Sequence, residues 1–210
     1  MTQRANNFIK IVRLTGREPD PLFSAIETLH RAELSAGALA HMPHGFLRRF
    51  YRHMAAQHDL VVLAALEDRR VVGFVSGSVV EARFSSLIER FARSHPRTLI
   101  AAAFRLMAHP AAVLRLASLS RSLMRGPAPI SGPQLLSIAV YRAEVARGVG
   151  RQLFEALSTE FMRRGVREFN VIAAHTQVSA IAFYNRCGCI PTSQVVLGDL
   201  PCTVFRCGPS

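Results

Sequence analysis

The sequence has no tryptophan and a single lysine, Lys10. Its 14 acidic residues face 26 basic ones, nearly all arginine, and the formal net charge is +12. Arginine presents a planar fork of donors that suits phosphate and carboxylate, so the imbalance points to an anionic ligand or surface. No apolar run approaches the roughly 20 residues of a membrane helix. The most apolar long stretch, Thr98 to Leu119, is broken by Arg105, His109, Pro110 and Arg115. The opening MTQRANNFIKIVRLTG lacks an apolar core between a basic start and a small-residue cleavage site, and does not read as a secretory signal. Cysteine is scarce and lopsided: Cys187, Cys189, Cys202 and Cys207 crowd the C-terminal end without a C-x-x-C pair. That spacing disfavours structural zinc, and no metal is expected. Reduced thiols in a cytoplasmic protein are the expectation. With 50% apolar and 19% charged residues, general disorder is excluded.

What is present fits one mixed α/β domain over residues 1–210. Phe8 to Leu14 reads as a strand ended by Thr15-Gly16. Asp20-Pro21 opens a helix with Leu22, Ile26, Leu29 and Leu34 near helical spacing. A second helix is predicted from about Pro43 to Gln57, with Phe46, Leu47, Phe50, Tyr51 and Met54 on one face. Leu60 to Leu66 and Val71 to Val80 form a hairpin around the charged turn Glu67-Asp68-Arg69-Arg70. Residues 82–133 then carry eight arginines against one acid, Glu89, among helix-compatible apolar residues. Pro96 and Pro110 are predicted to divide this basic insertion into two or three short helices. Such a segment suits a face packed on the core, or a lid or docking surface for a phosphorylated or membrane-linked substrate.

The chemistry lies after the insertion. Gln134 to Val140 (QLLSIAV) is a short apolar strand, followed by YRAEVARGVG and a helix with Leu153, Phe154, Leu157 and Phe161 at 3.6-residue spacing. A strand, a loop with Gly148 and Gly150, and a helix N-terminus make an anion cradle, because the first amides of a helix have no intrahelical acceptor and the dipole adds positive potential. A strand, EFNVIAA, then leads through His175-Thr176-Gln177 into the helix VSAIAFYNRCG.

The segments SIAVYRAEVARGVGRQL and QVSAIAFYNRCGC resemble the Gcn5-related N-acetyltransferase family in detail from about Leu135 to Ile190. The resemblance implies a mostly antiparallel mixed sheet flanked by helices, with the insertion between the third and fourth strands. It implies acetyl-CoA as acyl donor, its pyrophosphate on the amides of Val145, Ala146, Arg147, Gly148, Val149, Gly150 and Arg151. The pantetheine arm would run along Ile138, Ala139 and Val140, where two parallel strands splay. Val145 replaces the polar residue that opens the family's loop, and Arg147 and Arg151 supply charge in its place. On the second helix Ala180, Tyr184 and Gly188 match the family pattern, while Gln177 replaces asparagine and Cys189 an aromatic residue. By the family mechanism Tyr184 protonates the departing CoA thiolate, and Gln177 hydrogen-bonds the donor.

An acceptor amine must shed a proton, and His175 and Glu81 are the candidate bases; His41, His44 and Ser137 are weaker ones. The expected activity is direct acetyl transfer to a primary amine of a small molecule, the basic insertion favouring an anionic acceptor such as a phosphate-bearing amino sugar. The alternative is a non-catalytic acyl-CoA-binding or membrane-surface module, contacting the inner membrane surface through the insertion. No nucleic-acid partner is expected, since the chain carries no recognisable DNA- or RNA-binding motif. Homodimerisation is common in the resembling family.

Overall fold

A computed structural model describes residues 8–35, 38–81, 84–98, 100, 131–197 and 200–208. Seven strands form one sheet in the order β1-β2-β3-β4-β5-β7-β6. They are β1 Lys10–Arg13, β2 Leu60–Glu67, β3 Arg70–Ser78, β4 Gln134–Val140, β5 Phe169–Ala174, β6 Ile190–Leu197 and β7 Leu200–Cys207. Every adjacent pair is antiparallel except β4 and β5. The β2–β3 turn is the charged one expected: Asp68 and Arg69 both take positive φ, as a two-residue hairpin matched to strand twist requires.

Among the described residues the helices of nine residues or more are α1 Asp20–Glu33, α2 Phe46–Ala55, α3 Phe84–Ser94, α4 Val149–Arg163 and α5 Val178–Arg186. Their apolar stripes divide between the two faces of the sheet. On one face Phe23, Ile26, Leu29, Phe46, Phe50, Tyr51, Leu87 and Phe91 from α1, α2 and α3 cover Val62, Ala64, Phe74 and Ala139. On the other, Leu153, Phe154, Leu157 and Phe161 from α4 and Tyr184 from α5 cover Val61, Val75, Leu135, Val171 and Phe205. The first helix of the basic insertion, α3, therefore belongs to the core, and it ends at Ser94, two residues before Pro96. Residues 101–130 of the insertion, with the break expected at Pro110, lie outside the described residues.

Glycines on β3 let α4 approach the sheet. A Cβ on Gly73 would stand 2.8 Å from Leu153 Cδ1, and one on Gly77 would stand 2.6 Å from Phe161 Cζ. Neither distance is compatible with a side chain, so the position of α4, and of the loop that starts it, depends on these two residues.

The expectation of four reduced thiols needs correction. Cys189 and Cys207 form a disulfide, with their Cα atoms 4.4 Å apart. The β6–β7 register explains it: Ile190 pairs with Arg206, which places residues 189 and 207 opposite one another at a separation a disulfide spans. Cys187 and Cys202 are free. Among the described residues no histidine, cysteine and carboxylate cluster could hold a metal ion, and no helix is long and apolar enough to cross a membrane.

Candidate functional site

The β4–β5 pair makes the opening. Pairing holds only at Gln134 with Asn170 and at Leu135 with Val171. Beyond those positions β4 keeps β3 on one side and, among the described residues, has no strand on the other. Leu136, Ser137 and Ile138 are half-buried at the centre of a sheet where neighbours on β3 are fully buried. Unpaired main-chain groups at such a place must be satisfied by water or by a ligand with amides of its own. A register shift between Ser76 and Gly77 opposes the two to Ser137 and Leu135, so Leu136 is an extra residue on β4. Such a bulge bends the strand and re-aims the side chains beside it.

At the C-terminal end of β4 the chain turns through a 3-10 segment, Arg142–Arg147, into α4. Gly148 caps the turn at φ 73°, a left-handed conformation that favours glycine. No side chain caps the N-terminus of α4 and no acidic residue stands in its first turn. Its amides and the positive end of its dipole are thus presented beside the open strand. An added Cβ on Gly150 would lie 3.5 Å from the Phe183 ring and 3.8 Å from Val140 Cγ2, so β4, the loop and α5 converge here.

The polar residues of the loop are arranged differently from the expectation. Arg147 is held by Glu67 Oε1 at 2.6 Å and by Glu144 Oε2 at 2.5 Å. Hydrogen bonds to both carboxylates raise its pKa. Its charge is neutralised at the end of β2 and braces the loop. Arg151 pairs with Glu155 at 2.8 Å in an exposed i,i+4 bridge. Val145 is 61% exposed, and Ala146 is exposed beside it. Attraction for an anion therefore comes mainly from main-chain amides.

Tyr184 is buried between the rings of Phe154, Phe183 and Phe205, at centroid distances of 6.5, 5.3 and 5.8 Å. Burial raises its pKa well above the ordinary value, so the hydroxyl stays protonated. Gln177 directs its side-chain oxygen to the Ala174 amide at 3.1 Å, closing the β5–α5 turn. His175 is exposed just past β5, and its Nε2 lies 3.1 Å from Thr203 Oγ1. That bond draws the ring towards β7, away from the gap between β4 and β5. Glu81 is not brought to the opening. Ser78, three residues before it, pairs with Gln134, where β4 and β5 remain joined. His44 lines a surface cavity of about 490 Å³ with Ser24, Glu27, Thr28, Arg31, Gly45 and Arg48. The His41 side chain lies outside the described residues.

Solved structures share this overall fold. An N-acetyltransferase from Staphylococcus aureus Mu50 superposes with a TM-score of 0.61 at 11% identity, over 97% of this chain and 99% of its own. An aminoglycoside acetyltransferase from an uncultured soil metagenomic sample gives 0.57 at 19% identity, over 91% and 94%. PaiA N-acetyltransferase from Thermoplasma acidophilum, in complex with coenzyme A, gives 0.55 at 10% identity, over 96% and 99%. The chain has the fold of the Gcn5-related N-acetyltransferases. No family model matches the sequence, and no curated protein matches it.

Proposed function

We propose that the protein is an acetyl-CoA-dependent N-acetyltransferase that passes an acetyl group directly to a primary amine. The observation that carries this reading is the parting of β4 from β5 after Leu135 and Val171, next to an uncapped α4 N-terminus. The donor's pyrophosphate would meet the amides from Val145 to Arg151, and its amide-bearing arm the free edge of β4 at Ile138 and Val140. Attack by the neutral amine nitrogen on the thioester carbonyl forms the C–N bond and breaks the C–S bond. The amine loses one proton and the sulfur ends with one. Tyr184, with its pKa raised by burial, is a weaker acid than a thiol. It therefore serves the departing sulfur as a hydrogen-bond donor, lowering the charge the thiolate must carry.

The acceptor we favour carries phosphate or another anionic group, on the strength of the eight arginines between residues 82 and 133. Thermal unfolding with acetyl-CoA, CoA and dephospho-CoA tests the donor half. A ligand at about 100 times its dissociation constant stabilises the native state by roughly 2.7 kcal/mol. CoA-thiol release with glucosamine 6-phosphate, spermidine, an aminoglycoside and an alanyl peptide tests the acceptor half. Absence of any shift at millimolar acetyl-CoA would reject the reading. Binding without turnover on any amine would favour a non-catalytic acyl-CoA-binding module, which the engagement of Arg147 and Gln177 in internal contacts also fits.

A further inference from the structure

The end of the sheet away from the donor loop gathers arginines from distant parts of the chain. α4 runs from the loop to this end, so roughly 20 Å separate the two. Around Glu160, in the last turn of α4, three guanidiniums converge: Arg13 from β1 at 3.2 Å, Arg164 at 2.8 Å and Arg163 at 3.9 Å. Arg164 also donates to the carbonyl oxygen of His58 at 2.8 Å, and the next residue, Asp59, holds Arg90 of α3 at 2.7 Å. These contacts make the patch continuous from β1 to α3. Arg167 stands exposed beside it, between α4 and β5.

The carboxylates here do not balance the guanidiniums. Five arginines face Glu160, Asp59 and Glu81, which follows β3 at the same end, so two positive charges are uncompensated. Glu168, beside Arg167, is matched by Arg206. Glu160 offers about four lone-pair sites to about fifteen N–H donors, so most of those donors are left for water or an outside anion. The dipole of α4 favours cations in its last turn. That accounts for Arg163 and Arg164, but not for Arg13 and Arg90, which arrive from β1 and α3. Exposed apolar side chains lie among the arginines. Met162 precedes Arg163, and Val80 follows Val79, whose amide donates to the Asp59 carbonyl oxygen at 3.0 Å.

We propose that this end of the sheet is a docking surface for an anionic lipid bilayer. Headgroup phosphates meet the forks of Arg13, Arg163 and Arg167, and the interfacial layer takes Met162 and Val80. A bilayer surface supplies anions and apolar depth together, which is the pairing this patch presents. None of its residues is an aromatic on which a nucleic-acid base would stack. The surface is separate from residues 101–130 and does not depend on the acetyltransferase reading. Docked this way, the protein keeps the donor loop at the end remote from the lipid, open to soluble ligands.

The test sediments the full chain with vesicles of phosphatidylcholine alone and with vesicles that also contain phosphatidylglycerol. Binding is expected only to the second kind, and is lost as salt approaches about 1 M. An arginine near an anionic surface strengthens partition roughly fivefold. Arg13→Gln, Arg163→Gln and Arg167→Gln together should therefore weaken binding roughly 100-fold, while lysine at the same three positions keeps it within about threefold. Arg69→Asn, in the β2–β3 turn at the donor-loop end, should stay within about twofold. Arg164, which carries the internal bond to His58, is left in place, and thermal unfolding checks that the triple variant folds. Should it not fold, Arg163→Gln with Arg167→Gln should weaken binding roughly 25-fold. Binding that survives these variants, or that falls as far in Arg69→Asn as in Arg163→Gln alone, belongs to other arginines and overturns the proposal. A wild type that ignores phosphatidylglycerol vesicles overturns it as well, whether or not an RNA homopolymer or inorganic phosphate binds the same residues.

Discussion

Replacing Gly148 with alanine tests the donor loop with little else disturbed. The residue sits at φ 73° and ψ 14°, and an added Cβ would find no heavy atom within 4 Å. Sterics therefore oppose nothing; the backbone's own preference does, at about 1–2 kcal/mol for an L side chain in the left-handed region. That energy has two outlets. If the loop keeps its shape, the native state loses the full amount, and a chain of this size melts about 2–8 °C lower. If the loop relaxes, stability is retained but the amides lose their alignment, and acetyl-CoA affinity falls by about 5- to 30-fold. Losses in stability and in binding, expressed as free energies, are thus expected to sum to about 1–2 kcal/mol. Thermal unfolding without ligand and isothermal titration with acetyl-CoA measure the two separately. Gly148→Asn is the control, because asparagine tolerates the left-handed region; it should recover more than half of the loss. An alanine variant that matches the wild type in both melting and affinity refutes the assignment of this loop.

Tyr184→Phe removes the hydroxyl and keeps the ring contacts with Phe154, Phe183 and Phe205. Steady-state CoA release should slow by roughly 10- to 1,000-fold, with acetyl-CoA affinity within twofold; unchanged turnover removes the leaving-group role. Gly77→Ala drives a Cβ to 2.6 Å from Phe161 Cζ and 3.0 Å from the Gln134 carbonyl oxygen. Overpacking of this kind costs about 1–3 kcal/mol, read as a lower urea midpoint, and an undiminished midpoint would show that α4 does not rest on β3 as described. His30 has a folded pKa of about 4, set by burial and Arg31 against the opposing Glu27. The unfolded chain binds the extra proton, so the contribution is present above about pH 6.5 and is lost as pH falls towards 4. Between pH 7 and 5 the wild type should lose about 2 kcal/mol by this route. His53, whose pKa burial also lowers, acts in the same sense, so His30→Gln should flatten the denaturation profile only in part. A profile equally steep in His30→Gln would assign the loss to other groups.

The helices and strands were legible wherever local periodicity was the cause. Leu153, Phe154, Leu157 and Phe161 recur at helical spacing and do cover the sheet, and Asp68-Arg69 forms the hairpin turn its charged flanks suggest. The contacts that decide roles were set by pairing between distant segments, which periodicity does not contain. Arg147 was expected to face phosphate, yet its partner Glu67 comes from the end of β2, 80 positions earlier. Cys189 and Cys207 meet because of one register among several that a hairpin could take. Glu81 looked available at the end of a strand, but the antiparallel β3–β4 pairing carries that end to the closed side of the opening.

The distribution of charge follows the same logic and narrows where an anion can be recognised. Outside the insertion most arginines of the described structure are already committed: Arg31 to Glu27, Arg48 and Arg52 to Asp20, Arg147 to Glu67 and Glu144, Arg164 to Glu160. Taken together these clusters carry far less net charge than their arginines alone, so the field over the loop is weaker than the arginine count suggests. In residues 82–133 eight arginines meet one acid, and more than half of the chain's net charge resides there. Within the described part, Arg90 reaches Asp59 and Arg93 reaches Glu89; Asp59 is borrowed from the loop before β2. In the proposed function a donor pyrophosphate would be held by oriented amides, whose hold on it salt would screen less than that of exposed charges. Attraction by net charge acts from the insertion and from the arginines around Glu160 instead. Two anions recognised by such different physics would not compete for the same contacts.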